Sequence, residues 1–308
     1  MALRVAVVGV GHLGKHHARI LSAMPDVQLV AVVDTHLGRA SEIASEYGTR
    51  ASMDVRELAG KVDAVTIAVP TELHRGIALP FLAAGIPVLV EKPMARSLAE
   101  ADEMIAAAAK SGAILAVGQT ERFNPAVAVA REHLTNPRFI EVHRLGAFPE
   151  RSLDIDVVFD VMIHDLDVIL SVVTSDVASI DAVGVPVLTS KFDIANVRLR
   201  FANGCIANLT ASRISRERVR KIRFFQPDAY ISIDYAAQKV EKFTINRLLG
   251  IPKIDGGDVP VTNEEPLVRE LTDFVDAVRL KRSPLVDGAQ GRRALALADR
   301  ISSTMTTV

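Results

Sequence analysis

Five short and almost wholly apolar runs punctuate the first part of the chain: RVAVVG from Arg4, QLVAVVD from Gln28, DAVTIAVP from Asp63, IPVLVEKP from Ile86 and AILAVGQ from Ala113. None alternates apolar with polar positions, so each reads as a strand covered on both faces. Longer amphipathic or alanine-rich stretches separate them. One of these, SLAEADEMIAAAAKSG, opens with Ser97, carries acids in its early turns and stops at Gly112, which are the start and stop signals of a helix. Strands alternating with helices predict a doubly wound parallel sheet.

After QTERFNP the pattern changes. RFIEVHRLGAF, DIANVRLRFANGCIANLTASR and VRKIRFFQPDAYISIDYAAQKVEKFTI read as strands, and Asn203-Gly204 between two alternating runs predicts a tight hairpin. This half is expected to be α+β with a mostly antiparallel open sheet. LVRELTDFVDAVRLKRSP and DGAQGRRALALADRISSTM carry helical periodicity, and they close the second domain or brace it against the first. GIPKIDGGDVPVTNEEP, rich in Gly, Pro and acids, is expected to be a mobile loop. The division predicted is 1–121 for the parallel α/β domain and 122–308 for the second, with the last helix available to pack on the first.

Composition narrows the function classes. Lys and Arg number 36 against 37 Asp and Glu, so no global field gathers nucleic acid or an acidic membrane surface. No run is long enough to cross a bilayer. A single cysteine, Cys205, forms no internal disulfide, and the opening MALRVAVVGVGHLG breaks at glycines that the fold needs, unlike a secretory leader. A cytoplasmic protein working on small molecules is the expectation.

Gly9-Val10-Gly11-His12-Leu13-Gly14 stands between a predicted strand and a predicted helix, the context in which a Gly-rich turn cradles a dinucleotide pyrophosphate. Asp34 ends the next strand, where a carboxylate binds both ribose hydroxyls, favouring NAD; His36 and Arg39 nearby keep NADP possible. Lys92 follows another strand, at the edge where such sheets bind ligands, and a cation there stabilises an alkoxide; taken alone, Lys-Pro after a strand is a surface turn. In VVFDVMIHDLDVIL, helical spacing puts Asp160, His164 and Asp167 on one face, with Asp165 pointing elsewhere. That trio admits acid–base chemistry by His164 oriented by Asp160, a metal site, or a packed helix with a satisfied histidine. No further cluster completes a metal site, so none is expected.

In these segments the chain resembles the Gfo/Idh/MocA family, named for glucose-fructose oxidoreductase, inositol dehydrogenase and a rhizopine-catabolism protein. The resemblance runs nearly end to end, through GVGHLG, AVPTELH, EKP, ERFNP, the Asp-x-x-x-His-x-x-Asp helix and FVDAVRLKRSPLVDG. It implies a Rossmann domain followed by an α/β domain whose open sheet often builds a homodimer or homotetramer. It also implies that Lys92, Asp160 and His164 are catalytic, that Asp167 is structural, and that the Lys92-Pro93 bond is cis. The cofactor residues it implies are Gly9, Gly11, His12, Leu13, Gly14, Asp34, Pro70, Thr71, His74, Glu91, Lys92 and Gln119. Two departures bear on local shape and substrate access: DIDVV replaces a Gly-rich run, and Met162 stands where many relatives have Gly.

GVGHLGKHHARIL, ERFNPAV and RSLDIDVVFDVMIHDLDVIL are most similar to members that oxidise the 3-hydroxyl of nucleotide-linked N-acetylglucosamine, supplying a 3-keto sugar to an aminotransferase on a lipid A route. The basic run ASRISRERVRKIR offers Arg213, Arg216 or Arg218 to a substrate diphosphate, although its plainer reading is a solvated strand face or a subunit contact. Rival readings are a dehydrogenase of a free polyol, an NAD-dependent glycosidase and a non-enzymatic sensor. The last has no chemical need of Lys92, Asp160 and His164.

Overall fold

The computed structural model describes residues 2–148, 155–246 and 253–307. The chain divides into two compact units: the first takes residues up to Gln119 and adds Leu267–Arg292, and the second takes Thr120–Pro266 and the residues from Arg293 on. The predicted boundary after residue 121 thus lies two residues late. A contiguous second domain was also expected, but residues 267–292 return to the first unit.

In the first unit, β1 (Leu3–Val8), β2 (Val27–Val33), β3 (Arg50–Ser52), β4 (Ala64–Ile67), β5 (Val88–Glu91) and β6 (Leu115–Gly118) form one parallel sheet in the order β3-β2-β1-β4-β5-β6. Chain order reverses between β1 and β4, the switch point where open α/β sheets bind ligands beyond the carboxyl ends of their strands. Helices α1 (Gly14–Ala23), α2 (Leu37–Glu46), α3 (Thr71–Ala83) and α4 (Leu98–Ser111) connect the strands. Ser97 caps α4 by accepting the Glu100 N–H, and left-handed Gly112 ends it. Strand β3 escapes prediction because three residues are too few to show a period.

The second unit places α5 (Pro125–Arg131), α6 (Ile163–Val172) and most of α8 (Gly288–Thr304) with a nine-stranded sheet. Its strands are β7 (Phe139–Leu145), β8 (Val177–Val185), β9 (Ile194–Phe201), β10 (Ile206–Ser212), β11 (Val219–Phe225), β12 (Ala229–Asp234), β13 (Lys239–Asn246), β14 (Lys253–Val259) and β15 (Thr306–Thr307). The order is β14-β13-β12-β11-β7-β10-β9-β8-β15, parallel only at β7/β10 and β8/β15. Buried residues alternate along β7, β9 and β10, so one sheet face packs the helices through Ile140, Val142, Val197, Leu199, Leu209, Ile163 and Leu166. Gly204, at φ +85°, makes the predicted hairpin turn.

The remaining helix, α7 (Pro266–Leu280), lies largely in the first unit and inserts Leu267, Leu271, Phe274 and Val275 into a core with Val5, Val7, Leu89 and Ala116. Part of the expected mobile loop over 250–266 is instead a strand: Lys253–Val259 is β14, paired antiparallel with β13, while residues 260–265 belong to no helix or strand. Gly256 serves close approach, since a Cβ on it would lie 2.0 Å from the Lys242 carbonyl oxygen. Residues 250–252 fall outside the described part. Gly256→Ala is therefore expected to loosen the β13/β14 pairing, read as faster amide exchange across Lys253–Val259 with the rest of the sheet unchanged.

Candidate active site

Gly9 follows β1 at φ +85°, and a Cβ there would meet the Ala68 carbonyl oxygen at 2.6 Å. A Cβ on Gly14 would lie 1.8 Å from the Gly9 oxygen, so helix and turn pack as closely as backbone allows. Gly11 differs: its Cβ would meet only the Arg39 guanidinium, at 3.9 Å, which leaves its backbone open to a large ligand. Beyond β2, Asp34 accepts the Val10 N–H on Oδ2 at 3.0 Å and the His36 N–H on Oδ1 at 2.9 Å. His36 itself caps α2 by accepting the Arg39 N–H at 3.2 Å, and the Arg39 guanidinium stands 3.4 Å from Asp34. Both basic groups offered for NADP are thus already engaged, one as a cap and one with the acid. Exposed His12 and half-buried Leu13 precede α1, Pro70 and Thr71 open α3 after β4, and Gln119 follows β6. Open glycine backbone beside a strand-end acid fits a dinucleotide, and all these residues follow carboxyl ends of parallel strands.

Lys92 follows β5, half-buried, and its bond to Pro93 is cis. The Lys92 N–H donates to Glu91 Oε2 at 3.3 Å, while Glu91 Oε1 stands 3.1 Å from His17 Nε2 of α1. On the other side, the His74 ring spans the Pro93 carbonyl at 3.0 Å and the Val69 carbonyl at 2.9 Å. Burial lowers the His74 pKa from its ordinary value, and a neutral ring donates to only one of these carbonyls at a time. The turn carrying Lys92 is accordingly gripped from two sides by buried side chains.

In the second unit Val158–Met162 is a π-helical turn in which the Ile163 N–H reaches the Val158 carbonyl, five residues back, before α6 begins. Such wide turns recur at functional sites. Asp160 is buried at the turn and His164 half-buried in the first turn of α6. The residues around them are fixed by charge: Arg144 of β7 forks onto Asp165, Nε to Oδ2 at 2.6 Å and Nη2 to Oδ1 at 3.0 Å, and reaches Glu121 at 2.9 Å. Its guanidinium lies over the Tyr235 ring, 4.9 Å from the centroid. Burial opposes the charge on Arg144, yet Asp165 and Glu121 outweigh it and hold its pKa well above the ordinary value. Asp167 pairs with buried Arg122 at 3.2 Å. Asp165 and Asp167, which follow His164 on α6, are therefore both anchored by buried arginines, and Asp165 turns away from the His164 face as the helical spacing expected.

Arg213, offered above to a substrate diphosphate or a solvated face, does neither. It is buried, donating from Nε to Asp193 at 2.9 Å, from Nη1 to the Ile155 carbonyl at 2.9 Å and from Nη2 to the Thr189 hydroxyl at 3.1 Å. Burial works against charge on Asp193, but the N–H groups of Thr189 and Leu188, with Arg213, hold its carboxyl well below the usual range. Arg216 and Arg218 are exposed.

Residues 3–119 match the oxidoreductase family with an NAD-binding Rossmann fold, and residues 128–230 match the GFO/IDH/MocA C-terminal domain. The chain is 38% identical over 299 residues to UDP-N-acetylglucosamine 3-dehydrogenase of Acidithiobacillus ferrooxidans, covering 96% of this chain and 95% of that protein. This chain belongs to the Gfo/Idh/MocA family. A solved structure of the Acidithiobacillus enzyme superposes with a TM-score of 0.93 at 37% identity, over 99% of this chain and 98% of that one. Inositol 2-dehydrogenase of Rhizobium meliloti is 25% identical over 97% of this chain and 96% of its own. Levoglucosan dehydrogenase in complex with NADH shares the fold, with a TM-score of 0.90 at 20% identity over 99% of this chain and 97% of that one. The chain is thus an NAD-dependent oxidoreductase.

Several residues of this Gfo/Idh/MocA chain were absent from the sequence reading: Arg122, Arg144, His17 and Glu270. Glu270 left a signal, an acid on the apolar face that Leu267, Leu271 and Phe274 define. Asp167 also carries a measurable signature. Burial, against the pull of Arg122, raises its pKa from 3.8 to about 6. Between those values the folded chain keeps a proton that the unfolded chain has released, so stability present below the lower value is lost as pH rises through the upper one. The loss is on the order of 3 kcal/mol. Asp167→Asn strands Arg122 and lowers stability at every pH, but it should remove that limb, so that the gap in melting temperature between variant and parent narrows as pH rises from 4 to 7 in paired thermal melts.

Proposed function

We propose that this protein oxidises the 3-hydroxyl of UDP-N-acetylglucosamine to the 3-keto sugar. The observation that carries the reading is the 38% identity, over 96% of the chain, to a protein of that activity. NAD, when bound, accepts the hydride from the carbinol carbon. His164 takes the hydroxyl proton as general base. Asp160, in the turn before it, orients the ring or holds the substrate hydroxyl. Lys92 stabilises the negative charge that develops on oxygen. Glu91, Gly9, Gly11, His12, Leu13, Gly14, Asp34, Pro70, Thr71 and Gln119 serve the cofactor, with the Asp34 carboxylate selecting ribose hydroxyls over a 2′-phosphate. His74, turned inward onto two carbonyls, serves by holding the Lys92 turn. The same reading makes the protein a cytoplasmic homodimer or homotetramer whose ketone product passes to an aminotransferase in lipid A synthesis.

A free polyol is the second reading, favoured by the full-length likeness to an inositol dehydrogenase. The test is NADH formation by the purified chain with UDP-N-acetylglucosamine, myo-inositol or glucose, with an aminotransferase and glutamate present to draw off the ketone. Turnover with the nucleotide sugar alone is expected. Turnover confined to myo-inositol would contradict the reading, and free sugar released without net NADH would replace it with a glycosidase.

A further inference from the structure

Behind the Lys92 turn lies a cluster that the reaction as described leaves unused. His17 of α1, Glu91 at the end of β5 and Glu270 of α7 are all buried, and one nitrogen or oxygen from each lies within 4.8 Å of those from the other two. Two carboxylates inside an apolar core repel each other and cost far more than the leucine or methionine that the site would otherwise hold. The rest of the buried face of α7 is Leu267, Leu271, Phe274, Val275 and Ala277. An acid kept in that company answers to something other than packing.

Glu91 shows what that is. Its Oε1 meets His17 Nε2 at 3.1 Å and its Oε2 accepts the Lys92 N–H at 3.3 Å, so one carboxylate ties the cluster to the backbone of Lys92. Gly118 of the neighbouring strand β6 leaves room for it, since a Cβ there would lie 2.7 Å from Glu91 Oε1. We propose that His17 and Glu270 are positioning residues: with Glu91 they lock the turn that presents Lys92, and so set its reach toward the reacting oxygen. The inference rests on the catalytic reading of Lys92. It differs from a packing role in that the helix would be no less stable without the charge.

The test uses the full chain with NAD bound. Glu270→Gln and His17→Asn are compared with the parent by amide exchange of the peptide holding Lys92, by melting temperature, and by kcat and KM on whichever of UDP-N-acetylglucosamine, myo-inositol and glucose the parent oxidises. Glu270→Gln is expected to melt no lower than the parent, to exchange the Lys92 amide about tenfold faster, and to lose roughly ten- to a hundredfold in kcat with KM for NAD unchanged. Glu270→Asp, which keeps the charge, should recover part of that loss. Should Glu270→Gln fail to fold, His17→Asn decides by the same readouts. Folded variants with parental Lys92 exchange and parental kcat would overturn the inference, as would a uniform rise in exchange across the whole first unit. Lys92→Met is run beside them. A parental rate there would overturn the catalytic reading and this inference with it, whereas a slow Lys92→Met beside parental Glu270→Gln and His17→Asn would overturn the positioning alone.

Discussion

A charge sealed away from water must meet its opposite, and in this protein that requirement decides how the helix carrying His164 is held. Arg144 and Asp165 are both buried, joined by two parallel hydrogen bonds, with Glu121 on the remaining edge of the guanidinium. Breaking such a pair by removing one partner costs about 3–5 kcal/mol, because the other charge is left stranded. Helix α6 therefore cannot rotate or slide without exposing that cost. With Asp167 of the same helix held by Arg122, His164 is carried on a fixed element rather than a loop, and Asp160 stands in the π-helical turn that precedes that helix.

The first unit solves the same problem with backbone. Parallel strands end together, so the glycine turn, Asp34, the start of α3, Lys92 and Gln119 all arise at one edge of the sheet. Lys92 follows a four-residue strand that is buried throughout, and the groups around its turn are buried polar side chains: Glu91 on its N–H, His17 behind Glu91, His74 on the next carbonyl. A cation on a long flexible stem is useful to chemistry only if its base is fixed.

Much of this was legible in the order of residues. The unbroken apolar runs gave the parallel sheet because strands covered on both faces have no polar side to show, and Asn203-Gly204 gave its hairpin because the turn demands positive φ. The glycine turn and Asp34 were readable for the same reason: few residue types meet those constraints. Other features depend on distance in space. Arg144 reads as one more polar residue in an alternating strand until Asp165 is seen 2.6 Å away, and Arg213 reads as solvated until Asp193 closes on it. Residues 253–259 read as a loop because their pairing with β13, and the close approach that Gly256 permits there, are invisible in one dimension. The share of the chain's end that joins the first unit was equally hidden, since α7 shows an apolar face but not its partner.

In the proposed reaction Lys92 acts on the developing alkoxide and not on the cofactor. Lys92→Met keeps the length and apolar stem of the side chain and removes its charge. NAD affinity of this variant, measured by fluorescence titration, should match the parent, while its single-turnover rate of NADH formation should fall by about two to four orders of magnitude. Weakened NAD binding in proportion to the lost rate, or a rate within a few-fold of the parent, would contradict the account.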